Sequence, residues 1–228
     1  MSIIIACANQ REAVLAVDTL GYTVDDPGRK FNTSKSFTLS HLGAVYGASC
    51  SAVFALRFGH EIVERGIGSF DELVGRLVDI VDAAYGFGAD ILAGMGDNAA
   101  AHLAVVGWSA ARNRPLLLVA SNVDEAATIG SFRVREMNDQ IVAIPTPQGT
   151  IGPAGSRKKV DPDDALVAIA EAQRSMIRNI YGEGGHMGGR LIRHRVTRHE
   201  MTTKVIHEWR GDVPERGAVP SALIAKAA

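Results

Sequence analysis

The chain has 228 residues, 46% of them hydrophobic and 21% charged, with a net charge of −1. These values fit one globular domain with a substantial core and exclude a disordered chain. They also leave no electrostatic footprint for nucleic acid or an anionic membrane surface. Two cysteines, Cys7 and Cys50, point to a reducing compartment rather than a disulfide framework. No apolar run approaches the ~20 residues that span a bilayer. The opening MSIIIACANQ has no cationic flank, and Ile3 to Ala8 is shorter than a secretion signal's apolar core. A cytoplasmic protein is therefore expected.

In chain order, Ile3 to Ala8 and Ala13 to Val17 are apolar runs split by Asn9-Gln10-Arg11-Glu12, which predicts a hairpin of buried strands. Asp18 to Asn32 is polar, with Gly21, Pro27 and Gly28, and reads as a loop. Phe37 to Leu39 and Ala44 to Tyr46 read as a further strand pair. From Ala52 the spacing turns helical, with Leu56, Gly59, Ile62 and Val63 recurring and Gly66 as a stop. Ser69-Phe-Asp-Glu72 is a capping box, followed by Phe70, Leu73, Val74, Leu77, Val78 and Val81 on one face. Strands return at His102 to Trp108 and Pro115 to Ser121, then near Phe132 to Arg135 and Gln140 to Ile144. Pro145 to Lys159 reads as a loop. Asp161-Pro162-Asp163-Asp164 opens a third helix with the stripe Leu166, Ile169, Met176, Ile177 and Ile180, closed by Gly182. Leu191 to Val196 and Thr202 to Trp209 are the closing strands. The order predicts an α+β fold with antiparallel sheets in a layered sandwich. Residues 1–210 form one domain in this reading, with 211–228 an unassigned tail.

The front of the chain resembles the proteasome β-subunit family, including the bacterial HslV-type peptidases, among the N-terminal nucleophile hydrolases. Ser2 and Asp18 in SIIIACANQREAVLAVDT have the family's sixteen-residue spacing between nucleophile and acid. Lys35 in KSFTL matches its lysine, with one extra loop residue, and Gly47 in VYGASCSAVFALRF its oxyanion glycine. HLAVVGWSAARNRPLLLVAS is similar to the family's central hairpin, and Gly188-Gly189 to its late glycine pair. The likeness covers residues 2–209 as a pattern. It implies a four-layer αββα sandwich, ring assembly around an enclosed chamber, peptide-bond hydrolysis and no cofactor or metal. It also admits an ATP-dependent unfoldase as partner.

The implied chemistry is coherent. A serine hydroxyl needs a nearby base, and an α-amine, with a pKa near ~8, is a base attached to the nucleophile itself once Met1 is removed. A lysine ammonium beside that amine favours its neutral form. Asp18 balances Lys35, and the Gly47 amide is the implied donor to the oxyanion. Which of Lys30 and Lys35 reaches the site is open in the sequence.

Three positions depart from the family. Serine replaces the usual threonine. The supporting hydroxyl of the family's Gly-Ser-Gly turn falls at Thr146, between two prolines. The Asp and Ser that normally precede the late glycines are absent from YGEGGHMGG, where Glu183 is the nearest acid. Two other function classes therefore stand beside the peptidase: a catalytically silent ring or shell protein, and an amidase acting on a small molecule.

Elsewhere the simpler readings hold. GFGADILAGMG follows a helix and lacks dinucleotide-loop spacing. His194 and His199 are an odd number of residues apart and so face opposite sides, against a metal site. Arg190, Arg193, Arg195 and Arg198 form a solvated or subunit-facing basic patch. Cys50 is a small core residue.

Overall fold

A computed structural model describes residues 2–22, 30–88, 100–123, 129–144, 150–153, 162–181 and 187–212. The chain starts with a hairpin, β1 (Ile4–Ala8) and β2 (Ala13–Asp18), whose turn is closed by Asn9 Oδ1 accepting from the Arg11 and Glu12 amides at 2.8 and 3.0 Å. A short ribbon, β3 (Leu20–Tyr22) with β4 (Lys30–Asn32), then leads to β5 (Ser36–Leu39) and β6 (Ala44–Ser49). Helices α1 (Ala52–Glu64) and α2 (Phe70–Phe87) follow. Next come β7 (His102–Ser109), β8 (Arg114–Val123), β9 (Ile129–Glu136), β10 (Gln140–Ile144) and β11 (Thr150–Pro153). Helix α3 (Pro162–Tyr181), β12 (Arg190–Val196) and β13 (Met201–Glu208) close the order.

Among the described residues two antiparallel sheets carry the core, in the orders β11-β10-β1-β2-β12-β13 and β5-β6-β7-β8-β9. Strand alternation distributes the apolar residues into three layers of contact. Ile4, Ala6, Leu15 and Val17 meet Val45, Ala104, Val106 and Leu117 between the sheets. Ile3, Ile5 and Ala16 turn the other way, onto Leu166, Ala170 and Ile177 of α3. Tyr46, Leu103, Val105 and Leu118 pack under Phe54, Phe58, Leu73 and Leu77 of α1 and α2. Both sheets are thus covered, giving the expected four-layer αββα sandwich. Each fully buried aliphatic side chain contributes about 1.5–3 kcal/mol.

Local chemistry explains the helix placement. Ser51 Oγ accepts from Phe54 N and Ser69 Oγ from Glu72 N, so both N-termini are capped. The Glu72 carboxylate returns to Gly68 N at 3.0 Å, one residue before the cap that the capping box predicts. Gly107 lets α2 approach β7: a Cβ there would lie 2.5 Å from the Phe70 ring.

Several expectations are corrected. The stretch Asp18 to Asn32, read as loop, contains the β3–β4 ribbon, whose glycine and exposed polar residues hide any alternation. Part of the loop read at Pro145 to Lys159 is β11, paired to β10. The buried side of α1 is Phe54, Ala55, Phe58 and Ile62, whereas Leu56 and Val63 are exposed. Val78 is exposed on α2, and Ile80 and Ala84 take its place inside. His199 lies in the turn after β12 rather than on a strand. The cap at Asp161, the stop at Gly182 and most of GFGADILAGMG lie outside the described residues.

Candidate active site

The two sheets bring the ends of β2, β5 and β6 together. Asp18, the last residue of β2, is fully buried, and among the described residues the partners of its carboxylate are all donors. Lys35 Nζ donates to both oxygens, at 3.0 Å to Oδ1 and 2.9 Å to Oδ2. The Ile3 amide, the peptide link leaving Ser2, donates to Oδ1 at 2.8 Å. The Gly188 amide donates to Oδ2 at 3.1 Å. A buried carboxylate demands such compensation, since desolvating it without partners costs several kcal/mol.

Of the residues singled out in the sequence, four converge. Ser2 is buried beside this carboxylate, one residue ahead of the Ile3 amide. Lys35, not Lys30, is the ammonium at Asp18, whereas Lys30 is exposed on β4. Gly47 pairs with Ser36, the residue after Lys35, and the Ala48 amide donates to Lys35 O at 3.3 Å. A Cβ on Gly47 would come 3.0 Å from Val17 Cγ2 and 3.5 Å from Leu15 Cδ2, so glycine lets the sheets close at the site. Thr146, Glu183 and Met1 lie outside the described residues.

Residues that the sequence reading assigned no role complete the surroundings. β12 pairs with β2 so that Leu191 stands opposite Asp18, which carries the preceding glycines to the carboxylate. Gly188 O accepts from the Thr19 and Leu20 amides at 3.2 and 3.1 Å. Gly189 has φ +74°, and a Cβ there would lie 2.8 Å from Thr19 Oγ1, which already accepts from Arg190 N at 2.9 Å. A positive φ and a close backbone approach at one place require glycine. The glycine pair was visible in the sequence; its donor role toward Asp18 was not.

His194 bridges the sheets behind Lys35. Its Nε2 is 2.8 Å from Ser36 Oγ and its Nδ1 2.9 Å from Thr203 Oγ1. Burial pushes its pKa below the ordinary 6.5, so the neutral ring is favoured. The arginines of the predicted basic patch are largely ion-paired: Arg193 with Asp163 at 2.5 Å, Arg195 with Glu12 at 2.5 Å and Glu200 at 3.0 Å, and Arg190 with Glu208 at 3.4 Å. Both cysteines are free; burial raises the Cys7 thiol to about 11 and also raises that of Cys50, which makes neither a ready thiolate. Among the described residues no cluster of His, Cys, Asp and Glu is arranged to hold a metal ion. No helix among them is long and apolar enough to cross a membrane.

The chain matches no protein-family model and no curated protein. Among solved structures it is similar to the Anbu (Gly-1) mutant from Hyphomicrobium sp. strain MC1, with a TM-score of 0.51 over 90% of this chain and 88% of that one. Sequence identity is 17%, so the likeness is one of fold. The fold is that of the proteasome-like N-terminal nucleophile hydrolases.

Proposed function

We propose that the chain is a subunit of a cytoplasmic, proteasome-like peptidase in which Ser2, freed by removal of Met1, is the nucleophile. The observation that carries this reading is the buried Asp18–Lys35 pair, with the Ile3 amide on the same carboxylate. It fixes an ammonium beside the start of the chain, where it would keep the Ser2 α-amine neutral. In that reading the amine takes the hydroxyl proton as Oγ attacks the scissile carbonyl carbon. The oxyanion is met by the Gly47 amide. As the C–N bond breaks, the protonated amine returns its proton to the departing amine, leaving an ester on Ser2. Water then attacks the ester with the same amine as base, releasing the acid and restoring the hydroxyl. Thr146 belongs to this proposal as the supporting hydroxyl, and a homo-oligomeric ring that encloses the sites and receives unfolded polypeptide as the assembly. An ATP-dependent unfoldase is the partner such a chamber would use.

Intact mass and an electrophilic activity probe test the proposal together. Loss of Met1, labelling of Ser2, and abolition of both labelling and peptidase activity by Ser2→Ala are expected. Quantitative retention of Met1 with no label on Ser2 overturns it and leaves a non-catalytic use of the fold. A monomer or dimer in solution removes the chamber.

A further inference from the structure

The segment that supplies Gly188 N is held from behind by a buried arginine. Arg174 sits on the face of α3 turned into the core, between Ala170 and Ile177, and is only 8% exposed. Its Nε donates to Met187 O at 3.1 Å, and its guanidinium forms an ion pair with Asp212 and lies 5.2 Å over the Trp209 ring. Trp209 in turn donates its backbone amide to Gly189 O at 2.9 Å.

Met187 O and Gly188 N belong to the same peptide group. That group therefore accepts from a buried cation at one end and donates to a buried anion at the other. The result is a line of alternating charge, Asp212, Arg174, the 187–188 peptide, Asp18 and Lys35. Hydrogen bonds in such a chain polarise one another, so a guanidinium on the carbonyl strengthens the amide as a donor.

We propose that Arg174 is a positioning residue for the active site, acting through the Met187–Gly188 peptide to hold and orient the Asp18 carboxylate. The geometry gives a physical substitute for the Asp and Ser that the sequence lacks before its glycine pair. The same fixed support reaches the site from helix α3 rather than from the residues that precede the glycines in sequence. The inference rests on the peptidase reading for its consequence in catalysis, but the polarised peptide is measurable without it.

The test compares wild type with Arg174→Met, Arg174→Lys and Asp212→Asn by two readouts. The first is the amide resonance of Gly188, isolated by labelling Met carbonyls with ¹³C and Gly nitrogens with ¹⁵N. Only Met95-Gly96 and Met187-Gly188 give such pairs, and Met95→Leu tells them apart. The Gly188 proton is expected to move upfield in Arg174→Met, with part of the shift recovered by Arg174→Lys, which keeps a cation and a donor. The second readout is peptidase kinetics. Arg174→Met is expected to lower kcat about tenfold or more with KM changed less than about twofold, the pattern of a displaced catalytic group rather than lost binding.

A folded Arg174→Met protein with an unmoved Gly188 resonance overturns the proposal, as does a lysine variant no better than methionine in both readouts. Should Arg174→Met fail to fold, Asp212→Asn carries the same readouts, with smaller shifts in the same directions, and its unmoved resonance overturns the proposal equally. A wild type whose Ser2 never labels refutes the peptidase reading alone, because the resonance still decides the role of Arg174.

Discussion

The Asp18–Lys35 pair invites a double-mutant cycle on stability. Asp18 is fully buried and the Lys35 side chain 9% exposed, so each single change removes the counter-charge from a group held largely away from water. Among the described residues, Lys35→Met leaves the carboxylate with two amide donors and no counter-ion, at a cost of about 3–5 kcal/mol. Asp18→Asn leaves an ammonium facing an amide, at a similar cost, and turns an NH₂ toward Ile3 N or Gly188 N. The double variant removes both charges, and its cost reduces to imperfect hydrogen bonding of about 1–3 kcal/mol. The singles should then sum to more than the double by about 3 kcal/mol or more, the top of the range for contacting residues. In a domain of this size each kcal/mol is worth about 2–4 °C in Tm. Each single should melt about 6–20 °C lower, and the double should recover much of that loss. Thermal melts at one fixed protein concentration measure this without mass action from assembly. Additive singles, or a Lys35→Met protein within about 1 kcal/mol of wild type, would refute the claim that the pair is a buried, mutually dependent unit.

Gly47→Ala should cost about 1–3 kcal/mol by overpacking against Val17, and Gly47→Val more; calorimetry gives the order. Gly189→Ala should lower both Tm and any Ser2 labelling, because a side chain at φ +74° meets Thr19 Oγ1; a neutral result would contradict the close approach. Stability should fall as pH drops below about 6.5. His194 and His102 are held neutral by burial while the unfolded chain takes up protons there first, so their contribution is complete above that pH and lost beneath it. Unfolding midpoints between pH 5 and 8 should flatten in a His102→Gln/His194→Gln protein.

Much of the fold was legible because its signals are periodic and local. Ile3 to Ala8 alternate between two cores, so both faces are apolar and the run reads as a buried strand. The capped start of α2 is written in Ser69 and Glu72. The β3–β4 ribbon and β11 were illegible for the opposite reason. The ribbon is three residues a side, with Lys30, Phe31 and Asn32 exposed, and pairing with a neighbour rather than burial defines it. On α1, Leu56 and Val63 suited a helical stripe as well as the residues actually buried. Composition alone could not choose between two faces that both carry aliphatics.

The site divides along a different line. The nearness of Ser2, Asp18, Lys35 and Gly47 was legible through a resemblance that stores their spacing, and each is a side chain or a glycine with a sequence identity. The groups that complete the carboxylate's surroundings are peptide amides, at Ile3 and Gly188, and an amide leaves no mark in the sequence at all. What can leave a mark is the price of holding such an amide in place. Gly188 and Gly189 are where backbone must pass against Asp212 and Thr19. Arg174 and Gln173 interrupt an apolar helix face, where charge is rarely buried without a partner. A buried arginine on a core-facing stripe, fourteen residues ahead of the glycine pair, is the trace of a backbone donor that has to stay where it is.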